Sequence, residues 1–267
     1  MQASICQNCG TQMESGYRFC PNCGQTAETH RFTMPHFLHE ASHAFTHADK
    51  GIFFLIKELA IKPGIVLKEY IIEGKRKRYF NPFTFMLLMS GLLLFFTIVF
   101  KPYDTDTMGM TKADAKQYYA QLPQAQKIME RQKRFAVFME QNTKIISLIS
   151  VPMTAFIFWL FFRKKGLYYA EHLVAALFLT GFFTIFNTLM TPVMAMLKGS
   201  AVYLNVSLLP LVFQVIYFGW AYCPFLAAQG KVQKWKVYGV SLVNVLVWSL
   251  LWVLVGAVYM VVSFING

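Results

Sequence analysis

The chain has 267 residues, of which 56% are hydrophobic, 16% aromatic and only 14% charged, where soluble domains carry about 25% charged residues. That composition excludes an ordinary soluble domain and fits a mainly α, polytopic helical membrane protein. The net charge of +12 is no nucleic-acid footprint, because the basic residues are scattered beside apolar runs, where lipid headgroups account for them.

The chain opens on Cys6-x2-Cys9 and Cys20-x2-Cys23, with Gly10 and Gly24 behind the two pairs. Each half has zinc-knuckle spacing, and the ten residues between the pairs suffice for a hairpin. A stretch of about 20 residues cannot bury enough apolar surface to fold alone, so a small zinc ribbon over residues 1–28, held by structural zinc on Cys6, Cys9, Cys20 and Cys23, is expected. Two disulfides are the rival reading, and they require export; Met1 to Ser4 offer neither the charge nor the apolar run of a signal peptide. Four protein sulfurs leave no open position for catalysis, which suits a docking or assembly element. Between Cys6 and Cys23 the only charges are Glu14 and Arg18, so phosphate binding lacks its basic surface although Tyr17 and Phe19 can stack.

Residues 29–82 read as amphipathic or interfacial helices. Thr33 and Pro35 make a helix start, and His36, His39, His43 and His47 then fall on one stripe, opposite Phe37, Leu38, Ala41, Phe45 and Ala48. The stripe is either the polar face of an amphipathic helix or a second metal site completed by Glu40 or Asp49. His39-Glu40-Ala41-Ser42-His43 also spells H-E-x-x-H, yet ligands from one helical stripe would hold a metal at the surface. Ile52–Ile61 and Ile65–Ile72, split at Pro63-Gly64 and interrupted by Lys57, Glu58, Lys68 and Glu69, are too short and too charged to span, so in-plane helices are expected. The string GKRKRYFNPF then places Lys75, Arg76, Lys77 and Arg78 at headgroup level as an anionic-lipid contact.

The membrane domain, 83–267, contains five apolar runs: 83–100, about 145–162, about 172–197, about 203–228 and about 237–265. The third and fourth are open to kinks or breaks at Pro192, Pro210 and Pro224. The insertion 101–144 is predicted as extramembrane helix, with a capping box at Thr111 and Asp114 and a seam through Ile128, Phe135, Phe138 and Met139. Lys75–Arg78, Arg163–Lys165 and Lys231, Lys234 and Lys236 share one side if the N-terminus is cytoplasmic, which puts the C-terminus on the opposite side.

The order CxxCG, FCPNCGQ, a histidine-rich stretch, KPG at Lys62-Pro63-Gly64, EYIIEGKRKRYFNPF and YAEHLVAALF at 169–178 resembles an uncharacterised family of bacterial zinc-ribbon-headed membrane proteins, classed as a domain of unknown function. The likeness covers residues 5 to about 180 and rests on the order of motifs rather than on any one of them. The resemblance implies a bacterial inner-membrane protein with a cytoplasmic ribbon and no established activity; the ribbon cysteines and the GKR string carry over, and no active site does.

No Asp, Glu, Lys or Arg lies inside the five runs, which removes the usual proton relays. Thr184, Asn187, Thr188, Thr191, Asn205, Gln214, Ser241 and Asn244 read as interhelical hydrogen-bond groups, and Cys223 as a packing residue. Glu171 and His172 form an ionisable pair expected at a cavity mouth at the cytoplasmic end of the third span, a place where the helix dipole also favours Glu171. The reading that results is an interaction, assembly or regulatory module, not an enzyme, whose ribbon docks a cytoplasmic protein partner. A small-solute permease using the proline-bearing spans and a metal-dependent hydrolase using the His36–His47 stripe are the alternatives.

Overall fold

Lipid offers no partner for a bare peptide group, so apolar runs of this length close their hydrogen bonds within helices. The structure, a computed structural model, describes residues 4–14, 16–27, 33–34, 51–102, 131, 134, 143–197, 200 and 202–265. Pro35 and the histidine stripe 36–47, and in the insertion the Thr111–Asp114 cap and the seam residues Ile128, Phe135, Phe138 and Met139, lie outside the described residues.

The described chain is mostly helical, behind a hairpin of β1 (Ser4–Ile5) and β2 (Gln12–Met13), antiparallel with Ser4 opposite Met13. Helix α1 (Ile52–Ile61) stops at Lys62, and α2 (Pro63–Leu67) continues into a π-helical turn, Lys68–Ile72. A 3₁₀ turn, Arg76–Arg78, leads to α3 (Pro82–Phe100). Asn81 caps α3, its side-chain oxygen accepting from the Phe83 and Thr84 N–H groups at 2.9 and 3.2 Å, and Pro82 takes the first position, where no N–H is needed. Then follow α4 (Thr143–Phe162), a 3₁₀ turn at Arg163–Lys165, α5 (Tyr169–Met196), α6 (Tyr203–Ser207), α7 (Leu209–Phe225) and α8 (Gly230–Ile265). Four stretches among the described residues are long and apolar enough to cross a membrane: Arg76–Phe100, Tyr169–Met196, Tyr203–Phe225 and Gly230–Tyr259. The run expected at 145–162 is helical as α4.

The prolines behave differently from one another. Pro192 sits inside an unbroken α5 and Pro224 in the last turn of α7, whereas the fourth run is split at Leu208, with Pro210 starting α7. Lys231, Lys234 and Lys236, read as lying between the fourth and fifth runs, belong to the first two turns of α8.

Helix α5 is the axis of the packing. Every residue from Ala170 to Gly181 is buried, on all faces of the helix, as a helix enclosed by neighbours requires. Tyr70 meets Phe178 edge-on at 5.0 Å, and Phe158 of α4 stacks on Tyr222 of α7 at 3.8 Å between centroids. A Cβ on Gly181 would strike the Phe85 ring. Gly181 lies twelve residues into α5 and Phe85 three into α3, so at 1.5 Å per residue the first turns of α5 extend beyond the start of α3. They are enclosed there by α1, α2, α4 and the end of α7.

The two short helices, expected to lie in the membrane plane, are built into this bundle. Leu55, Leu59, Val66 and Leu67 are fully buried against it, while Phe53, Ile61 and Ile72 face outward. Nor do the buried hydroxyls of α5 join helices: Thr184, Thr188 and Thr191 donate to the carbonyls of Thr180, Thr184 and Asn187 at 2.8, 2.8 and 3.0 Å. Bonding to the residue four back satisfies the hydroxyl within its own helix.

Candidate metal centre and its seat on the bundle

Each knuckle is a tight turn closed by its glycine. The Gly10 N–H donates to the Cys6 carbonyl and the Gly24 N–H to the Cys20 carbonyl, both at 2.9 Å, with φ of 76° and 70° at the two glycines. Only glycine adopts that left-handed backbone without strain. The turns face each other, so that all four sulfurs lie within 4.8 Å of one another, Cys6 to Cys23 and Cys9 to Cys20 at 3.6 Å. A tetrahedral zinc with bonds of about 2.3 Å spaces its sulfurs about 3.8 Å apart, whereas a disulfide needs about 2.05 Å. All four cysteines are free, and the cluster fits zinc. Hydrogen bonds from Thr11, its hydroxyl at 3.1 Å, draw the Cys9 thiol down to about 6, while burial pushes Cys6 up to about 11. Zinc there would hold the two knuckles together, with no coordination position left for a substrate.

The residue after the second knuckle ties the ribbon to the membrane bundle. Gln25 is buried; its Nε2 donates to the Gly74 carbonyl at 2.5 Å and its Oε1 accepts from the Lys77 N–H at 3.3 Å. One side-chain amide thus takes up both a donor and an acceptor of the basic loop, replacing a stretch of missing secondary structure. The sequence reading passed over Gln25, although FCPNCGQ carries it.

The loop that receives Gln25 is folded on itself. Glu69, on the π turn, accepts from the Tyr79 hydroxyl and pairs with Lys75 Nζ at 3.3 Å and Arg78 Nη1 at 3.3 Å. Burial opposes ionisation of Glu69, but Tyr79, Lys75 and Arg78 outweigh it and hold its carboxyl below the ordinary value. Glu73 pairs with Lys75 at 2.8 Å and Lys68 at 3.5 Å. Arg78 also lies over the rings of Phe54 and Tyr79, at 5.9 and 5.6 Å. Of the string expected to face lipid, Lys75 and Arg78 are therefore paired internally and Lys77 gives its N–H to the ribbon.

Behind the loop, Pro63 cannot supply the N–H that the Leu59 carbonyl would accept four residues on, and the Tyr217 hydroxyl of α7 donates instead, at 3.1 Å in a buried position. One residue later, a Cβ on Gly64 would run into the Ala221 carbonyl oxygen and the Pro224 ring. Lys-Pro-Gly is thus a close contact between α2 and α7.

Glu171 and His172, expected at an open mouth, are sealed in the interior at 1% and 0% exposure. Glu171 Oε2 accepts from the Tyr168 N–H at 2.8 Å, closing the first turn of α5. His172 stacks parallel to Tyr222 at 5.9 Å and edge-on to Phe225 at 6.3 Å, and neither ring nitrogen has a hydrogen-bond partner among the described residues. The aromatic ends of α7 close over the place where a mouth was expected.

Two family models match the chain. A zinc-ribbon domain matches residues 5–26, and one described as a protein of unknown function, DUF3667, matches residues 49–98. The second match covers α1, α2, the self-paired loop and nearly all of α3, which are the parts that seat the ribbon and grip α7. No curated protein and no solved structure matches the chain.

Proposed function

We propose that the protein is an inner-membrane interaction or regulatory module of a bacterium, in which a structural zinc ribbon on the cytoplasmic side docks a protein partner and passes that event to the membrane bundle through its seat. The observation that carries this reading is the buried Gln25 contact: the ribbon is fastened to the self-paired loop, not tethered loosely ahead of it. Its other side stays outward, with Ile5, Tyr17 and Phe19 at 66%, 46% and 59% exposure. Aromatic and branched side chains exposed on so small a domain suit a protein contact. The closed four-cysteine set supports a noncatalytic role. The cytoplasmic side is supported by the basic clusters: Lys236 Nζ lies 5.6 Å from the Phe162 ring beside Arg163–Lys165, which lead into the end of α5 that the ribbon-bearing segment encloses.

Photo-crosslinking from position 19 in cells tests the docking. A discrete protein adduct is expected with the zinc-loaded ribbon and is lost with Cys20→Ser. An adduct that persists in Cys20→Ser, or none from positions 5, 17 or 19, overturns the reading.

A further inference from the structure

A second basic site lies away from the ribbon, where α4 ends and α8 begins. From Thr143 to the end of the sequence the only carboxylate is Glu171, against Lys144, Arg163, Lys164, Lys165, Lys198, Lys231, Lys234 and Lys236. Glu171 is buried and accepts from the backbone of Tyr168. Lys164, Lys165 and Lys236 have no ion pair among the described residues, in contrast to Lys75 and Arg78. These three lysines line one cavity of about 260 Å³ together with Gln233, Phe161 and Leu226.

The cavity has two kinds of wall. Its cationic rim carries three lysines, beside the positive end of the 36-residue helix α8. Lys236 is held over the Phe162 ring at 5.6 Å. Like charges lining one cavity with no counter-ion among the described residues repel one another, so the arrangement favours an anion that bridges them. Apart from Gln233 the rest of the wall is apolar, and Phe161 on the outer face of α4 is 44% exposed. Val232 and Trp235, on the same turns of α8 as the lysines, are 84% and 75% exposed, and a bare Trp beside lysines is the signature of the headgroup layer.

We infer that this cavity is a binding site for one anionic phospholipid, its phosphate held by Lys164, Lys165 and Lys236 and the first carbons of an acyl chain resting on Phe161 and Leu226. A soluble phosphate would use the lysines but not the apolar wall, and a zwitterionic lipid would use the wall while its own cation opposed the rim. An anionic lipid alone satisfies both.

The test uses the full chain, delipidated in a neutral detergent, with phosphatidylglycerol, phosphatidylcholine and inorganic phosphate as probes. Native mass spectrometry counts bound lipid, and thermal unfolding follows stabilisation. One phosphatidylglycerol per chain is expected to bind in preference to phosphatidylcholine, and Lys164→Gln/Lys165→Gln/Lys236→Gln weakens it on the order of 100-fold. Lys231→Gln/Lys234→Gln, on the same helix but outside the cavity lining, leaves binding within a few-fold. Lys164→Arg/Lys165→Arg/Lys236→Arg retains it. If the triple glutamine variant does not fold, Lys236→Gln alone is read for a loss of about fivefold. Equal losses in the two lysine-to-glutamine sets, unchanged binding in the triple variant, or phosphate stabilising as well as the lipid would each overturn the assignment.

Discussion

At the scale of single residues, Glu69 shows how charges in an apolar segment are made tolerable. It is one carboxylate facing a hydroxyl, an ammonium and a guanidinium, all supplied within ten residues of its own chain. Its folded pKa lies below the ordinary 4.5, so its contribution to stability is fully present above about 4.5 and is lost as pH falls through the folded value. Amide protection over residues 69–79, taken relative to the intrinsic exchange rate at each pH, is expected to be flat from neutral pH to about 5 and to fall below it. Glu69→Gln should raise exchange in that loop at neutral pH and remove most of the acid dependence, leaving the smaller share of Glu73, whose carboxyl Lys75 also lowers despite burial. An unchanged acid limb in Glu69→Gln would mean that some other group titrates there.

At the scale of elements, four of the five expected spans were legible because apolar runs of 18 residues and more have few other ways to fold, and the ribbon because its knuckles are local. The burial of α1 and α2 was not legible. Lys57, Glu58, Lys68 and Glu69 read as charges that keep the segment in the membrane plane, but Glu58 pairs with Lys62 at 2.9 Å and Glu69 with the following loop, so much of its charge is matched within the segment and the helices pack into the bundle. The contact between Pro63 and α7 was half visible: the missing N–H is a property of sequence, while its substitute donor, Tyr217, comes from 158 residues past Leu59. The Glu171–His172 prediction failed for a related reason, since polarity near a span end says nothing of which aromatic residues will close over it. The Leu59–Tyr217 contact makes a sharp test. Tyr217→Phe keeps the stacked ring and strands a buried carbonyl, at a cost of about 1–3 kcal/mol. Gly64→Ala forces a methyl into backbone, which overpacking series place at about 1–3 kcal/mol or more. Because both changes loosen one interface, unfolding in mild detergent should show the double variant costing less than the sum; strict additivity would place the two residues in separate contacts.

At the scale of the whole molecule, folding of the ribbon and its attachment to the bundle are separable. Zinc-finger peptides draw about 10–16 kcal/mol of apparent folding energy from the metal, far more than one amide bridge supplies, so the metal decides whether a ribbon exists and Gln25 decides where it sits. The two are coupled in one direction only. Chelation at neutral pH should deprotect residues 5–26 in hydrogen exchange and, by removing the Gln25 amide, residues 73–79 as well, with α5 and α7 unchanged because, among the described residues, the ribbon's buried cluster is separate from theirs. Gln25→Ala with zinc bound should deprotect 73–79 while the knuckles stay closed. A loop that remains protected in both samples would show that its own ion pairs hold it shut, and the ribbon would then be a passenger on the bundle instead of its latch.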